Sequence, residues 1–264
     1  MTQTFGLFIV GDEILSGKRI DKHLPKVIEL LAARGLALRW AQYLGDDRAD
    51  ITAALRRSFA GPDVVLSTGG IGATPDDHTR QAAAAALGVE LELHPEAQRL
   101  IEARIAEMNQ GSLSAAENRQ RMKMGEFPRG SSIIPNPYNK IPGFSIGRHF
   151  FVPGFPVMAW PMLEWVLETH FRDAFHWRPQ AERSMLVFGS AESTLTPLME
   201  QIEMSHPGVK VFSLPSVGEE GGSGKRARRH IELGVKGPVA DLSDAYDALR
   251  AGVQALGAEF DEDP

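Results

Sequence analysis

Three short segments combine glycine with residues that bind anions or cations. The first is Gly11-Asp12-Glu13-Ile14-Leu15-Ser16-Gly17. Adjacent carboxylates can hold a hard cation, and the flanking glycines let backbone N–H groups approach a phosphate. The same residue types also build an ordinary polar turn ahead of a helix. The second segment is Gly69-Gly70-Ile71-Gly72-Ala73-Thr74-Pro75-Asp76-Asp77-His78-Thr79. Its glycines allow close approach to a ligand, and Thr74, Asp76 and Asp77 are expected to open a helix. Free N–H groups and the positive dipole end at a helix start favour anions. The two acids either cap that helix or hold a metal that carries phosphates. Neighbouring carboxylates repel, so the second points to a cation or a donor nearby. The segment lacks the Gly-Lys-Ser/Thr of a Walker A loop and the third glycine of a dinucleotide fingerprint. The third segment is Asn136-Pro137-Tyr138-Asn139-Lys140-Ile141-Pro142-Gly143, followed by Pro153-Gly154-Phe155-Pro156. Both parts read as rigid loops with hydrogen-bonding side chains. Lys140 can meet a phosphate as a point charge or stand exposed in a turn.

Each segment follows a predicted strand, where open α/β sheets place their ligands. Phe5 to Val10 reads as a buried strand, and Leu24, Ile28 and Leu31 recur at helical spacing before Gly35. Leu36 to Leu44 and Asp63 to Thr68 read as further strands. Ile51, Leu55 and Phe59 mark a helix between them, and an alanine-rich helix is expected from about Asp77 to Leu87. Another helix is predicted from Pro95 to Asn109, with proline in its first turn. Strand–helix repetition with short links predicts a mostly parallel sheet covered by helices on both faces. From Gly125 to Pro156, prolines and glycines leave two short strands, Ser132 to Ile134 and His149 to Val152, among fixed loops. An aromatic helix is expected from Val157 to Phe175.

After Trp177-Arg178-Pro179-Gln180, which reads as a linker, the pattern becomes β-α-β-β-α. Its strands are Met185 to Phe188, Val209 to Leu214 and Ile231 to Val235, and its helices Ser193 to Met204 and Leu242 to Leu256. The division is therefore 1–177, a small α+β module over 181–258, and a frayed acidic tail over 259–264.

Among 264 residues, 43% are hydrophobic and 23% charged, which is ordinary globular usage. Cysteine is absent, which excludes disulfides, thiolate metal sites and a thiol nucleophile, and suits a reducing compartment. No apolar run approaches a membrane span and no basic stretch precedes the first apolar run, so a soluble cytoplasmic protein is expected. The net charge of −6 is uneven. The first 180 residues carry 20 basic and 20 acidic side chains, and the remainder 8 and 14. A general polyanion binder would show the opposite balance. Gly221-Gly222-Ser223-Gly224, before Lys225, Arg226, Arg228 and Arg229, has the spacing of a KH clamp, but strands rather than helices are predicted around it. Nucleic acid is not expected as a partner. The eight histidines show no zinc spacing, and a hard, oxygen-ligated ion such as Mg²⁺ suits the acids better.

The three segments, in this order, resemble the molybdopterin-binding (MoaB/Mog-like) domain, and within it the N-terminal domain of the competence/damage-inducible protein A (CinA) branch. The resemblance runs from about Gly6 to Pro156 and continues through the helix after it into the small C-terminal module, so it covers most of the chain. It implies a three-layer α/β/α sandwich that binds molybdopterin or the adenosine diphosphate part of a nucleotide. It further implies that Asp12, Glu13, Asp76 and Asp77 surround a divalent metal and a pyrophosphate. Asp46 and Asp47 match the family's Gly-Asp-Asp. Members of this branch cleave pyrophosphate bonds such as those of ADP-ribose. A related domain hydrolyses FAD, and others process molybdopterin. Longer members add a C-terminal deamidase domain, and the length of this chain leads us to expect no amidase. Three departures stand out. Asp21-Lys22-His23 replaces Asp-Thr-Asn, Asn139-Lys140-Ile141 replaces small residues, and Val157-Met158-Ala159 replaces Ser-Glu-Met.

The expected chemistry is Mg²⁺-dependent hydrolysis of a nucleotide pyrophosphate bond, or a molybdenum-cofactor step. The metal ligands would be Asp12, Glu13 and Asp77, with Asp77 the essential acid and Asp76 beside it. Gly11, Asp12, Glu13, Ser16, Gly17, Asp46, Asp47, Gly69, Gly70, Gly72, Thr74, Thr79, Asn136, Lys140, Pro153 and Gly154 would line the ligand. The alternatives are a non-catalytic pterin or nucleotide binder and, more remotely, an RNA-binding accessory protein. A homo-oligomer is expected, through the aromatic helix or the C-terminal module.

Overall fold

The computed structural model describes residues 3–108, 115–177, 180–218 and 227–262. The chain divides into two compact units, Met1–Trp177 and Arg178–Pro264.

The first unit is built on a six-stranded sheet. β1 (Phe5–Val10) is followed by a single turn, α1 (Asp12–Leu15), and by α2 (His23–Ala32). Then come β2 (Leu38–Leu44), α3 (Arg48–Phe59), β3 (Val64–Thr68) and α4 (Thr79–Leu87). β4 (Leu91–Leu93), α5 (Pro95–Met108), α6 (Ala115–Met122) and β5 (Glu126–Pro128) lead to β6 (Ser132–Ile134), β7 (Gly143–Ile146), β8 (His149–Val152) and α7 (Pro156–His170). The strand order is β2-β1-β3-β8-β7-β6. β2, β1, β3 and β8 run parallel; β7 is antiparallel to β8, and β6 to β7. β4 and β5 form a separate antiparallel ribbon.

Side-chain alternation along the strands separates two cores. Phe5, Leu7 and Ile9 of β1 join Val64, Leu66, Phe150 and Val152 beneath α2 and α7. Phe8, Val10, Val65 and Phe151 face the other way, toward Ile51 and Leu55 of α3 and Ala82 and Ala83 of α4. The sheet is thus buried on both faces, as parallel sheets are, and the layers are α/β/α. The alanines of α4 let it lie close against α3. Phe127, Phe144 and Phe151 stack in series, with centroids 4.8 and 4.4 Å apart. Each such pair contributes about 0.5–1.5 kcal/mol beyond burial.

The second unit holds β9 (Gln180–Phe188), α8 (Glu192–Ser205), β10 (Lys210–Ser216), β11 (His230–Pro238), α9 (Val239–Ala255) and β12 (Glu259–Asp261). Its antiparallel sheet has the order β10-β11-β9-β12. Met185, Val187, Leu233, Val235, Tyr246 and Leu249 are central to its core.

Several elements differ from expectation. Glu259 to Asp261, expected to fray, pair with β9, and the Arg228 guanidinium grips the Glu259 carboxylate at 2.7 and 2.9 Å. β5 and β7 fall where fixed loops were expected, and β4 and α6 where no element was assigned from sequence. Ile28 is half exposed, and Val27, Leu30 and Leu31 form the buried face of α2. The aromatic helix ends at His170, and Trp160 and Trp165 lie partly buried against their own core. The Gly221–Gly224 spacing and Arg226 lie outside the described residues; the flanking elements, β10 and β11, are paired antiparallel strands. Among the described residues, no helix is long and apolar enough to cross a membrane.

Candidate functional site

A cavity of about 410 Å³ opens at the C-terminal ends of β1, β3 and β8. Its floor is the turn after β3. Gly69 has φ +97°, and an added Cβ would collide with the Val10 carbonyl oxygen. Gly70, at φ +68°, would collide with the Thr79 hydroxyl. Only glycine lets the chain turn this tightly over the end of the neighbouring strand. Thr79, fully buried, fastens the turn from below. Its backbone N–H donates to the Gly70 carbonyl at 2.9 Å and its hydroxyl to the Gly69 carbonyl at 3.1 Å.

α4 begins at Thr79, two residues later than the sequence suggests, so Asp77 precedes the helix rather than opening it. Its carboxylate turns back onto the loop. Oδ1 accepts from the Gly72 N–H at 2.9 Å, and Oδ2 from the Thr74 N–H at 2.8 Å and from the Thr74 hydroxyl. A charged acceptor among backbone donors outcompetes a solvent-exposed helix cap. Arg80, 2% exposed, braces the same loop from behind. Its guanidinium donates to the carbonyls of Gly72, Lys123 and Glu126. The Gln120 amide donates to the Ala73 carbonyl. With these groups engaged, the N–H groups of Gly70, Ile71 and Ala73 have no hydrogen-bond partner among the described residues. Such a set of backbone donors is suited to an anion.

The lining is also acidic. Glu13, Asp46, Asp76 and Asp77 line the cavity, together with Gly11, Gly72, Thr74 and Arg19. Asp12 does not line it. The Asp12 Oδ1 accepts from the Asp46 N–H at 3.1 Å, and the Asp46 Oδ2 from the Asp12 N–H at 2.9 Å. This reciprocal pair locks the first segment to the end of β2. Burial, above all, and the negative charges of Asp12, Glu13 and Asp76 raise the Asp46 carboxyl above its ordinary value, against the lowering effect of the Asp12 N–H. Asp47 caps α3 by accepting from the Asp50 N–H at 2.9 Å. Ser16 and Gly17 form the exposed turn after α1, outside the cavity.

The remaining wall comes from the third segment. The Asn136 amide, 5% exposed, donates to the Asn139 Oδ1 at 2.8 Å and to the Ile141 carbonyl at 2.9 Å, which fixes the loop. Asn136, Asn139, Ile141, Pro153, Gly154 and Met158 reach the cavity. Lys140 does not. It adopts φ +65° and pairs with Glu107 of α5. The cation expected to meet phosphate is thereby turned toward a helix.

Among the described residues, no group of three or more histidine, aspartate or glutamate side chains is placed to hold a metal ion. Asp12, Glu13 and Asp77 are not gathered into a cage, because Asp12 is bound to β2's end and Asp77 to the glycine loop. What the cavity offers is Glu13, Asp46 and Asp76 as separate carboxylates. That suits Mg²⁺ carried by phosphates, since this ion usually takes one or two protein carboxylates and completes its shell with substrate and water. Sequence reasoning missed Arg19, Arg80 and Asn139. A lone arginine in an alanine-rich helix was the one signal available for Arg80.

The family model described as "Probable molybdopterin binding domain" matches residues 6–173. A CinA-like protein of Anaeromyxobacter sp. (strain Fw109-5) is 40% identical over 151 residues, which is 56% of this chain and 36% of that protein. A CinA-like protein of Syntrophotalea carbinolica is 32% identical over 216 residues, 78% of this chain and 51% of that protein. The chain thus spans about half, or less, of the length of these relatives. A crystal structure described as the protein CinA with unknown function, from Thermoplasma acidophilum, superposes with a TM-score of 0.55 at 26% identity, covering 63% of this chain and 98% of that one.

Proposed function

We propose that this chain, which belongs to the family of probable molybdopterin-binding domains, binds the diphosphate of a nucleotide or pterin in the glycine-loop cavity and hydrolyses a pyrophosphate bond there. The observation that carries the reading is the juxtaposition in one cavity of backbone N–H groups at Gly70, Ile71 and Ala73, unpartnered among the described residues, with the carboxylates of Glu13, Asp46 and Asp76. Donors alone would suit any anion. Donors and acids lining one cavity suit an anion that arrives with a cation. A divalent metal such as Mg²⁺, when bound, supplies charge neutralisation of the phosphate oxygens. Glu13 and Asp76 are the residues that would hold it.

The loop N–H groups orient the phosphate oxygens and need no reorganisation to do so, because Asp77, Thr79 and Arg80 already hold the loop. Asp77 is therefore assigned a positioning role. Asp46, with its carboxyl raised by burial and by neighbouring acids, is the better base for an attacking water. The water oxygen bonds to phosphorus, its proton passes to Asp46, and the P–O–P bond breaks to give two phosphomonoesters. ADP-ribose and FAD are suitable substrates, and a molybdopterin-linked diphosphate would fit the same chemistry. The second reading is binding without turnover, favoured by one observation: both Asp77 oxygens are committed to the loop.

The absence of cysteine supports a cytoplasmic setting. The family resemblance supports a homo-oligomer, which light scattering at micromolar concentration tests. The functional test is calorimetric titration with ADP-ribose in Mg²⁺ and in EDTA, with ³¹P NMR to follow cleavage. Binding that needs Mg²⁺ and yields AMP and ribose 5-phosphate supports hydrolysis. Mg²⁺-dependent binding without products supports the second reading. No binding of any diphosphate overturns both.

A further inference from the structure

Beside the glycine-loop cavity lies a second, of about 470 Å³, sharing Val10, Glu13, Arg19 and Gly154 with it. The two differ in charge. The charged lining of the first is acidic apart from Arg19, whereas Lys18, Arg19 and Lys22 from the turn between α1 and α2 line the second. Among the described residues, none of these three side chains has an ion-pair or hydrogen-bond partner. Asp21, which interrupts them in sequence, makes no ion pair with them among the described residues. Its carboxylate accepts from the N–H groups of His23 and Leu24, at 2.8 and 3.0 Å, and from the Tyr43 hydroxyl at 2.9 Å. Two other lysines of this unit find acids, Lys26 with Glu29 and Lys140 with Glu107.

The back of the cavity is apolar and fixed. Ile9, Ile14 and Thr68 line it, and so does His23, only 5% exposed. The His23 Nε2 lies 2.9 Å from the Gly154 carbonyl, and its Nδ1 has no partner among the described residues. This ties the start of α2 to the Pro153–Phe155 turn, so the cationic turn and the first cavity share one rigid wall. Three cations outnumber the one acid of this lining, Glu13, and with no ion-pair partner among the described residues they repel one another and attract an anion. They need no metal to do so, unlike the carboxylates of the first cavity.

We infer that the second cavity receives a further anionic group of the same ligand, a phosphomonoester or a carboxylate on the moiety joined to the diphosphate. This rests on the reading of the first cavity as a diphosphate site. The diphosphate occupies the glycine loop, the attached sugar or ring passes Glu13 and Gly154, and its anionic substituent meets Lys18, Arg19 and Lys22. The chain then selects ligands charged at both ends over those charged only at the diphosphate.

Two matched pairs test this by calorimetric titration in Mg²⁺: ADP-ribose against ADP-ribose 2′-phosphate, and UDP-glucose against UDP-glucuronate. The expected result is that the extra anion tightens binding by about tenfold in at least one pair. The pair that responds identifies phosphomonoester or carboxylate. The gain should shrink as salt rises, and Lys18→Ala combined with Lys22→Ala should bring the ratio toward one. Both lysines are exposed, so the variant retains its fold. Equal affinities within both pairs overturn the inference while leaving the diphosphate site standing. A gain that survives the double substitution also overturns it. If no diphosphate binds at all, the first cavity's reading fails, and this inference fails with it.

Discussion

Asp77→Asn is the substitution with the clearest consequence. In the wild type one carboxylate takes two backbone N–H groups and a hydroxyl, with both N–H distances under 3 Å. Asparagine retains one acceptor oxygen and turns an NH₂ toward the other donors, so one backbone N–H loses its partner. A hydrogen bond to a charged group contributes about 1.5–3 kcal/mol. Asp77 is partly buried, and water can recover part of this, leaving a cost of about 1–2 kcal/mol. For a unit of this size that lowers Tm by about 2–8 °C. The same energy held the loop N–H groups in place before ligand arrived, so it must now come out of binding. Affinity for Mg²⁺–ADP-ribose should fall by about 5–30-fold. Thermal unfolding by calorimetry reads the first effect and isothermal titration the second. A fall in Tm with unchanged affinity would refute the reasoning, because it would separate the loop from the phosphate.

Other perturbations follow from the same structure. Gly70→Ala places a Cβ at φ +68° against the Thr79 hydroxyl; it should cost about 1–3 kcal/mol and abolish diphosphate binding, as urea unfolding and titration would report. Lys140→Ala removes an exposed ion pair with Glu107, so stability should change by less than about 1 kcal/mol and ADP-ribose affinity should hold, whereas a large loss would place Lys140 on the phosphate after all. His149 is buried, its Nε2 is 2.8 Å from the Ser58 hydroxyl, and burial, aided by the Arg148 charge, lowers its pKa from 6.5 to about 4. The unfolded chain takes up that proton first, so its contribution to stability is complete above about pH 6.5 and is lost as pH falls toward 4. The loss is about 3 kcal/mol, and urea unfolding of His149→Gln at pH 7 and pH 4.5 should lack that share of the pH dependence.

The strands, the parallel sheet and the position of the glycine-rich turns were legible in the chain itself. Phe5 to Val10 and Val64 to Thr68 are mostly apolar runs ended by glycine, and such runs in a strand–helix alternation have few other solutions. The three segments were recognisable as a group because glycine and carboxylate at strand ends are local features of the chain. What the sequence could not settle is where side chains at those ends point. Asp77 has the composition of a helix cap, yet loop N–H groups from Gly72 and Thr74 compete for it and win. Lys140 has the charge of a phosphate ligand, yet Glu107 from a helix 33 positions away takes it. Arg80 carries no signal of its role in an alanine-rich helix, because the Lys123 and Glu126 carbonyls that it binds come from 43 and 46 positions away. The short strands β5 and β7 were hidden by proline and glycine, and they form because partners distant in sequence supply the ladder. The cations of the second cavity gained their meaning only when Asp21 was found committed to a helix start and a tyrosine. Periodicity and residue type record what a segment does with its neighbours in sequence. The partners of a charged or polar group in a loop are chosen by competition among groups that only the folded chain brings together.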